Sequence, residues 1–448
     1  MLQLPELARE PTATLTPEAL QRCLQQPLEE ASLPRWLETL AAWPDSRDHE
    51  RALAQTLQRL ETLQARWPLP QGFPLDEAEY ARYHDMSRLW LEAARGYTRI
   101  YLGQPAQFRY LAQLLDCLRR SLVTAAQAHQ PWPAALWPEI HRLYLDARGR
   151  AGRRDRAFSQ AARHYLRLLL LGLADLPGLH AREVAMLDAL SEKWAPLLAV
   201  EESQEAGWRI DTEAPVPARW QAAGDRAWRV DLQRLFDMLT AHRDLAAEQG
   251  RYEALRQPSE TISCDWLEAL LERWQGRMAE FAPAAAESVE LVAGLASIFD
   301  CLRGEAVRRE TARRRQSHWE VKGGAWQPGE LVGVFEAGNY SLLQLGVITH
   351  LRQPAPERVE LNWHLLAEEV TAVGLQPAHL PGGSRYQRAL LVHDEEPPRL
   401  LLASQPLEAE AVVVLVAGAR RYAVRLAEYR NPALGVLDCR CLPARLQK

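Results

Sequence analysis

The sequence predicts an α+β multidomain protein: an N-terminal all-α helical array, solenoid- or bundle-like, then a C-terminal antiparallel β-barrel and a second small β unit. Three observations carry that prediction. Apolar residues recur with a period of about 3.6 as far as residue 257, and with a period of about 2 beyond Pro283. The Gly- and Pro-bearing gaps between periodic stretches are short, as they are between neighbouring antiparallel elements. The length, 448 residues, is too great for a single hydrophobic core. The divisions fall at 1–200 for the helical array, 201–282 for a linker with further helices, 283–380 for the barrel and 381–448 for the second β unit.

Each helix is argued from its starts and its stripe. Thr16-Pro17-Glu18 supplies a capping hydroxyl, a proline at the first helical position and an acid in the first turn. Ser32-Leu33-Pro34 and Asp45-Ser46 give further starts, with Trp36, Leu37 and Leu40 at helical spacing between them. In 48–66, Leu53, Leu57, Leu60 and Leu63 form one stripe. Segments 86–102, 105–128, 133–150, 154–173 and 181–198 repeat the pattern without a fixed repeat length, which argues against tetratricopeptide repeats. Residues 201–218 carry two prolines and no stripe, and read as a short extended segment around Trp208 and Ile210. Helices resume at 231–249 and 259–281, the second opening at Ser259-Glu260 or at Ser263.

Beyond Pro283 the chain reads as strands. Residues 289–292 form the first, ending at Gly294; 329–335 and 343–349 follow, separated by the turn signal Gly338-Asn339. Residues 358–362 alternate, and Val373-Gly374-Leu375 adds a short strand. Past Pro381-Gly382-Gly383 come 388–392, 399–403, 411–416, 421–426 and 435–441, with Gly418 in a hairpin turn. So many short, regularly spaced strands imply a small barrel or a pair of barrels.

Composition excludes more than it assigns. A net charge of -5 gives no global drive toward nucleic acid or an anionic membrane. The six cysteines are single apart from Cys439 and Cys441, so a zinc site of usual spacing is not expected and a reducing cytoplasm is. The N-terminus lacks the basic and apolar regions of a secretory signal. Apolar runs such as 168–173 fall far short of the roughly 20 residues that span a bilayer, so no membrane insertion is expected. The 15 Trp fall mostly on apolar stripes or beside turns, where packing accounts for them. His141, His164, His180, His318, His350, His364 and His393 do not pair at metal-ligand spacing, and GxSxG, HExxH and GxGxxG are absent. The chain is therefore not expected to be an enzyme, nor to hold a metal or cofactor.

One stretch carries ligand chemistry. Residues 303–315 hold Arg303, Arg308, Arg309, Arg313, Arg314 and Arg315 against Glu305 and Glu310. Guanidinium groups pair bidentately with phosphates, so such a cluster beside a barrel can grip a nucleotide. The plain alternative is a solvated linker or helix face. Lys322-Gly323-Gly324 lacks the frame of a phosphate loop and reads as a hairpin turn.

Four stretches carry a family likeness: 165–200, a Leu-rich helix, a turn and a helix closing on Trp-Ala; 208–217, an extended segment before proline; 289–304, strand-Gly-Leu-helix; and 329–351, Gly-acid-Leu-Val to Leu-Gly-Val. Together they resemble a proteobacterial family of helical proteins ending in a PilZ-type domain, receptors for cyclic di-GMP. The likeness runs from about residue 160 to the C-terminus, and residues 1–150 share only helical character. It implies a PilZ-like barrel and cyclic di-GMP as ligand. The family's ligand motif is RxxxR before the barrel and [DN]xSxxG on a barrel strand. Arg273 with Arg277, or Arg309 with Arg313, match the first. The second is incomplete: 319–326 keeps only Gly-Gly, and Asn339-Tyr-Ser341 meets Gly346 two residues late.

The implied function is regulatory or adaptor: nucleotide binding coupled to an unidentified protein partner through the helical array. The alternative is a degenerate PilZ-like scaffold that binds protein only. RNA binding is not expected, since no aromatic-rich RNP pattern accompanies the arginines.

Overall fold

A computed structural model describes residues 4–10, 28–42, 50–152, 155–248, 253–256, 261–276, 287–315, 317–338, 342–377, 386–404, 411–418, 420–433 and 435–444. The chain forms two units. The helical unit comprises Met1–Gln71, Glu77–Leu176 and Ala181–Met278, and the barrel unit comprises Gly72–Asp76, Pro177–His180 and Ala279–Lys448.

In the helical unit the leucine stripes become buried faces. Ser32 stands at the N-cap of α1 (Leu33–Ala41), with Pro34 in the first turn, and α1 buries Leu33, Trp36 and Leu40. Helix α2 (Glu50–Gln64) buries Leu53, Leu57 and Leu60. There follow α3 (Glu77–Gly103), α4 (Phe108–Gln127), α5 (Leu136–Arg150), α6 (Arg156–Leu173) and α7 (Ala181–Trp194). Asp155 caps α6 by accepting a hydrogen bond from the Phe158 N–H. Helices α3, α6 and α7 all pack on α4, which is buried on nearly every side. That central position forces its polar residues to find partners: Ser121 and Ser87 each donate to the other's carbonyl, at 2.9 and 3.0 Å. The helix starts at Thr16 and Asp45-Ser46 lie outside the described residues.

Residues 199–231 are not a linker with one extended segment. They form a four-stranded antiparallel sheet, β1 (Ala199–Ser203), β2 (Gly207–Arg209), β3 (Arg219–Gln221) and β4 (Ala227–Asp231), in the order β1-β4-β2-β3. The strands are short and only partly buried, with few fully buried side chains beyond Val200, Arg209 and Val230, so no period of 2 shows in the sequence. After α8 (Gln233–Glu248), the hairpin β5 (Glu253–Arg256) and β6 (Thr261–Ser263) leads into α9 (Cys264–Trp274). Ser263 caps α9, accepting from the Trp266 N–H at 3.2 Å. The helix expected over 259–281 is shortened by β6 before it and by a turn at Gly276, φ 75°, after it.

The barrel unit opens with β7 (Ser288–Ala293) and, after Gly294 at φ 79°, α10 (Leu295–Leu302). With β8 (Glu310–Arg314), β9 (Trp319–Val321), β10 (Leu331–Glu336), β11 (Leu342–Ala355) and β12 (Arg358–Ala367), it closes into a barrel ordered β10-β11-β12-β9-β8-β7. Two readings change here. The arginine stretch is neither a linker throughout nor a helix face, because its second half is β8, pinned by the single inward side chain of Ala312. Lys322-Gly323-Gly324 is not a hairpin turn: β9 pairs with β8 and β12, whereas β10 pairs with β7 and β11.

A second closed barrel follows: β13 (Val370–Pro377), β14 (Gln387–Val392), β15 (Arg399–Ala403), β16 (Val412–Ala417), β17 (Arg420–Ala433) and β18 (Val436–Pro443), ordered β13-β14-β15-β18-β17-β16. Strand β13 pairs with β14 and β16, so the barrels divide between Ala367 and Val370, not at 380–381. Val373 and Leu375 pack with Leu415 and Val424 inside the second barrel, which fixes β13 there. The two barrels share one core: Ile298 and Phe299 of α10 pack with Leu331 and Phe335 of the first and with Leu390, Leu401 and Val436 of the second.

A short segment from early in the chain completes this unit. The Phe73 and Trp326 backbones exchange hydrogen bonds, at 3.2 and 2.8 Å. The fully buried Gln353 carboxamide accepts from the Leu75 N–H at 2.8 Å and donates to the Leu75 carbonyl at 3.1 Å. It thus mimics a strand neighbour for a residue 278 positions away.

Candidate functional site

The predicted ligand arginines are divided between the units. Arg273 lies on α9, and its Nη1 donates to the Ala174 and Asp175 carbonyls at 3.2 Å, closing the C-terminal end of α6. Arg277 lies outside the described residues. Arg309 enters β8, with its Nη1 2.7 Å from Glu290 Oε2 and its guanidinium 5.6 Å above the Phe335 ring. It also bonds the Cys301 thiol, whose pKa burial pushes up against the pull of Arg309. Arg313, on β8, is exposed and has no ion-pair partner among the described residues. The structure therefore makes one member of this RxxxR a held residue and the other a solvated one.

The rest of the basic stretch is largely matched by acids from its own and neighbouring strands. Arg308 pairs with Glu310 at 2.6 Å and Arg315 with Glu320 at 2.8 Å. Glu320, opposite Arg313 in the β8–β9 register, also lies 3.7 Å from Arg358. The Arg315 hydrogen bond holds its carboxyl below the usual glutamate value.

A more open arrangement lies where α10 meets the second barrel. The guanidinium groups of Arg303 and Arg388 stand 5.8 and 5.9 Å from the buried Phe299 ring. Arg388 Nη2 is 3.1 Å from Asp300 Oδ2, and Tyr386 lies beside the same ring at 6.4 Å, exposed. Arg303 and Arg388 are each 47% exposed, so both present N–H donors to solvent. Two half-exposed arginines with an open tyrosine face suit a phosphate and a stacked base. In the sequence Arg303 stands in a charge run and Arg388 at the start of the strand 388–392, while Tyr386 belongs to no motif. The cue was there: an aromatic and an arginine two residues apart, at the mouth of a strand following Gly-Gly.

Among the described residues, no group of three or more His, Cys, Asp or Glu is placed to hold a metal ion. None of the described helices is long and apolar enough to cross a membrane.

Comparison with known proteins adds a finding that composition and geometry do not supply. Residues 33–205 match the model of a family described as the N-terminal domain of the cyclic-di-GMP receptor FimW. The chain is 27% identical over 237 residues to the cyclic-di-GMP receptor FimW of Pseudomonas aeruginosa, a stretch covering 47% of this chain and 39% of that protein. The match thus spans about two fifths of the relative's length. No solved structure matches. The family match falls on the helical part, including residues before 150 that the sequence reading credited with helical character alone. On these matches the chain is similar to a cyclic-di-GMP receptor, and the family model lies over its N-terminal helices.

Proposed function

We propose that the protein is a cytoplasmic cyclic di-GMP effector, a binding and signalling protein and not an enzyme, that couples the nucleotide to a protein partner through its helical unit. The observation that carries this reading is the match of residues 33–205 to the N-terminal domain of a cyclic-di-GMP receptor. The barrel unit adds chemistry of the right kind: Arg303 and Arg388 would take phosphate, Tyr386 would stack on a base, and Arg313 is exposed for a further phosphate contact. Binding there would favour one arrangement of the protein over another, which is all a regulatory ligand has to do.

Calorimetric titration of the full chain with cyclic di-GMP tests the reading. Micromolar or tighter binding, weakened at least tenfold in Arg388→Ala, is expected. No heat at tens of micromolar overturns it and leaves the second reading, a PilZ-like protein-interaction scaffold. The close matching of Arg308, Arg309 and Arg315 by Glu310, Glu290 and Glu320 favours that second reading for β8 itself.

A further inference from the structure

The helical unit contains a cavity of about 380 Å³ between α2, α3, α4 and α7, within the ~300–1,000 Å³ range of ligand clefts. Its wall is unusually well fixed. Arg119, 5% exposed, is held from both sides: its Nε and Nη2 donate to Asp116 Oδ1 at 3.0 and 2.7 Å, and its Nη1 to Asp188. Arg120 lies 5.0 Å over the Trp90 ring and donates to Asp116 and Glu61. Gln64 joins α2 to the cavity wall, accepting from Trp90 Nε1 at 2.9 Å and donating to Thr124 at 2.8 Å. Trp67 and Tyr83, 5.5 Å apart edge to face, also line the cavity.

Two polar groups in this wall are left over. The Gln127 side chain lines the cavity, is 8% exposed, and has no hydrogen-bond partner among the described residues. The Trp67 indole N–H is buried and likewise unpartnered among them. Buried polar groups are nearly always satisfied, so the buried Trp67 N–H marks a place for a ligand's acceptor, and the Gln127 carboxamide, open to the cavity, offers a donor and an acceptor in the same wall. The charges restrict which ligand. Arg119 and Arg120 face Glu61 and Asp188 in the lining, two positive against two negative, so a phosphate or an ammonium would meet no net attraction. A neutral planar ring with donors and acceptors on its edge is what the wall complements. Guanine meets the description: arginine donates to its O6 and N7, a carboxylate or a carboxamide oxygen accepts from its N–H edge, and its faces stack on aromatic rings.

We propose that this cavity is a guanine-base site of the helical unit, with Gln127 and the Arg119–Asp188 pair reading the base edge. The inference deepens the cyclic di-GMP reading and rests on it for the identity of the nucleotide, whereas the cavity's own chemistry asks only for guanine. The test combines calorimetry with hydrogen exchange on the full chain, using cyclic di-GMP, GMP and AMP. Cyclic di-GMP is expected to protect residues 61–69 and 119–127 of the wild type. Gln127→Leu should abolish the protection at 119–127 while leaving any protection of the barrel unit in place, and AMP should not bind. Equal binding of cyclic di-GMP to wild type and Gln127→Leu, with protection confined to the barrel unit, overturns the guanine site and leaves the proposed function standing. GMP binding with protection at 119–127, in the absence of any cyclic di-GMP binding, supports the site and overturns the proposed function. Absence of binding by all three overturns both.

Discussion

The two units use arginine in opposite ways. In the helical unit, Arg119 and Arg167 are less than a tenth exposed and share Asp188, with Arg167 also donating to Ser191 at 2.9 Å. In the barrel unit, Arg308 and Arg315, which flank β8, are 77% and 54% exposed and pair with acids on β8 and β9. A buried guanidinium must be fully matched or the fold fails, so its position is fixed in advance of any ligand. A surface pair is worth little and can be exchanged for a ligand at small cost. The helical cavity therefore offers a rigid, neutral surface suited to reading a base, and the barrel's arginines offer adaptable charge suited to a phosphate.

The sharpest way to break this contrast is to remove the shared acid. Asp188→Ala leaves Arg119 and Arg167 without their common partner inside the helical unit, a loss of about 3–5 kcal/mol. Against burial, contacts with His164, Arg119 and Arg120 hold the Asp116 carboxyl well below its usual range, so Asp116 stays charged but cannot satisfy both arginines alone. Hydrogen exchange should show the helices opening in Asp188→Ala while β7 to β12 stay protected. Loss of less than 1 kcal/mol would mean that the buried network is ordinary surface charge.

The units should also respond to pH in opposite directions. His141 accepts from the Tyr165 hydroxyl at 2.8 Å and donates through Nε2 to the Val216 carbonyl at 3.3 Å, because a carbonyl can only accept. Burial lowers its pKa to about 4 from the usual 6.5. A depressed histidine is stable as the neutral form, so its contribution is present above pH 6.5 and is lost as pH falls from there toward 4. In the barrel unit, burial raises the Glu330 carboxyl to about 7, against a hydrogen bond from the Gln327 N–H. Here the folded state keeps the proton, so stability is lost as pH rises from about 4.5 through 7. Each effect is bounded at roughly 3–4 kcal/mol. Segment-resolved exchange between pH 5 and 8 should weaken the helices at the acid end and the first barrel at the alkaline end. Glu330→Gln should flatten the barrel's profile and raise its stability at pH 8.

How much of this could be read in advance follows the same division. Long stripes such as Leu53, Leu57 and Leu60, and alternating strands such as 412–417, announce themselves because one face of each meets a core. The sheet at 199–231 did not, since strands of three to five residues, with at most two of them buried, have too little of a face to mark. The place of β13 depends on pairing with β16, about 40 residues on, which no local pattern encodes. The site was half legible. Arg309 and Arg313 are spaced as the motif asks, but their fates depend on Glu290, a residue of another strand. Gln127 drew no notice because a lone glutamine late in a helix is unremarkable until the space beside it is known.

The smallest expected effect separates those two arginines. Arg309 is 15% exposed on its side chain, pairs with the half-buried Glu290 and lies over Phe335, so Arg309→Ala strands an acid and uncovers a ring. A cost of about 1–2 kcal/mol is expected in urea unfolding. Arg313 faces solvent, and Glu320 opposite it already has Arg315 and Arg358. Arg313→Ala should therefore move stability by no more than about 0.5 kcal/mol. Equal costs for the two substitutions would show that β8 is held by its charge ladder as a whole. Unequal costs in the expected order make Arg309 part of the scaffold and leave Arg313 as the member of the pair whose removal is read in ligand affinity, not in folding.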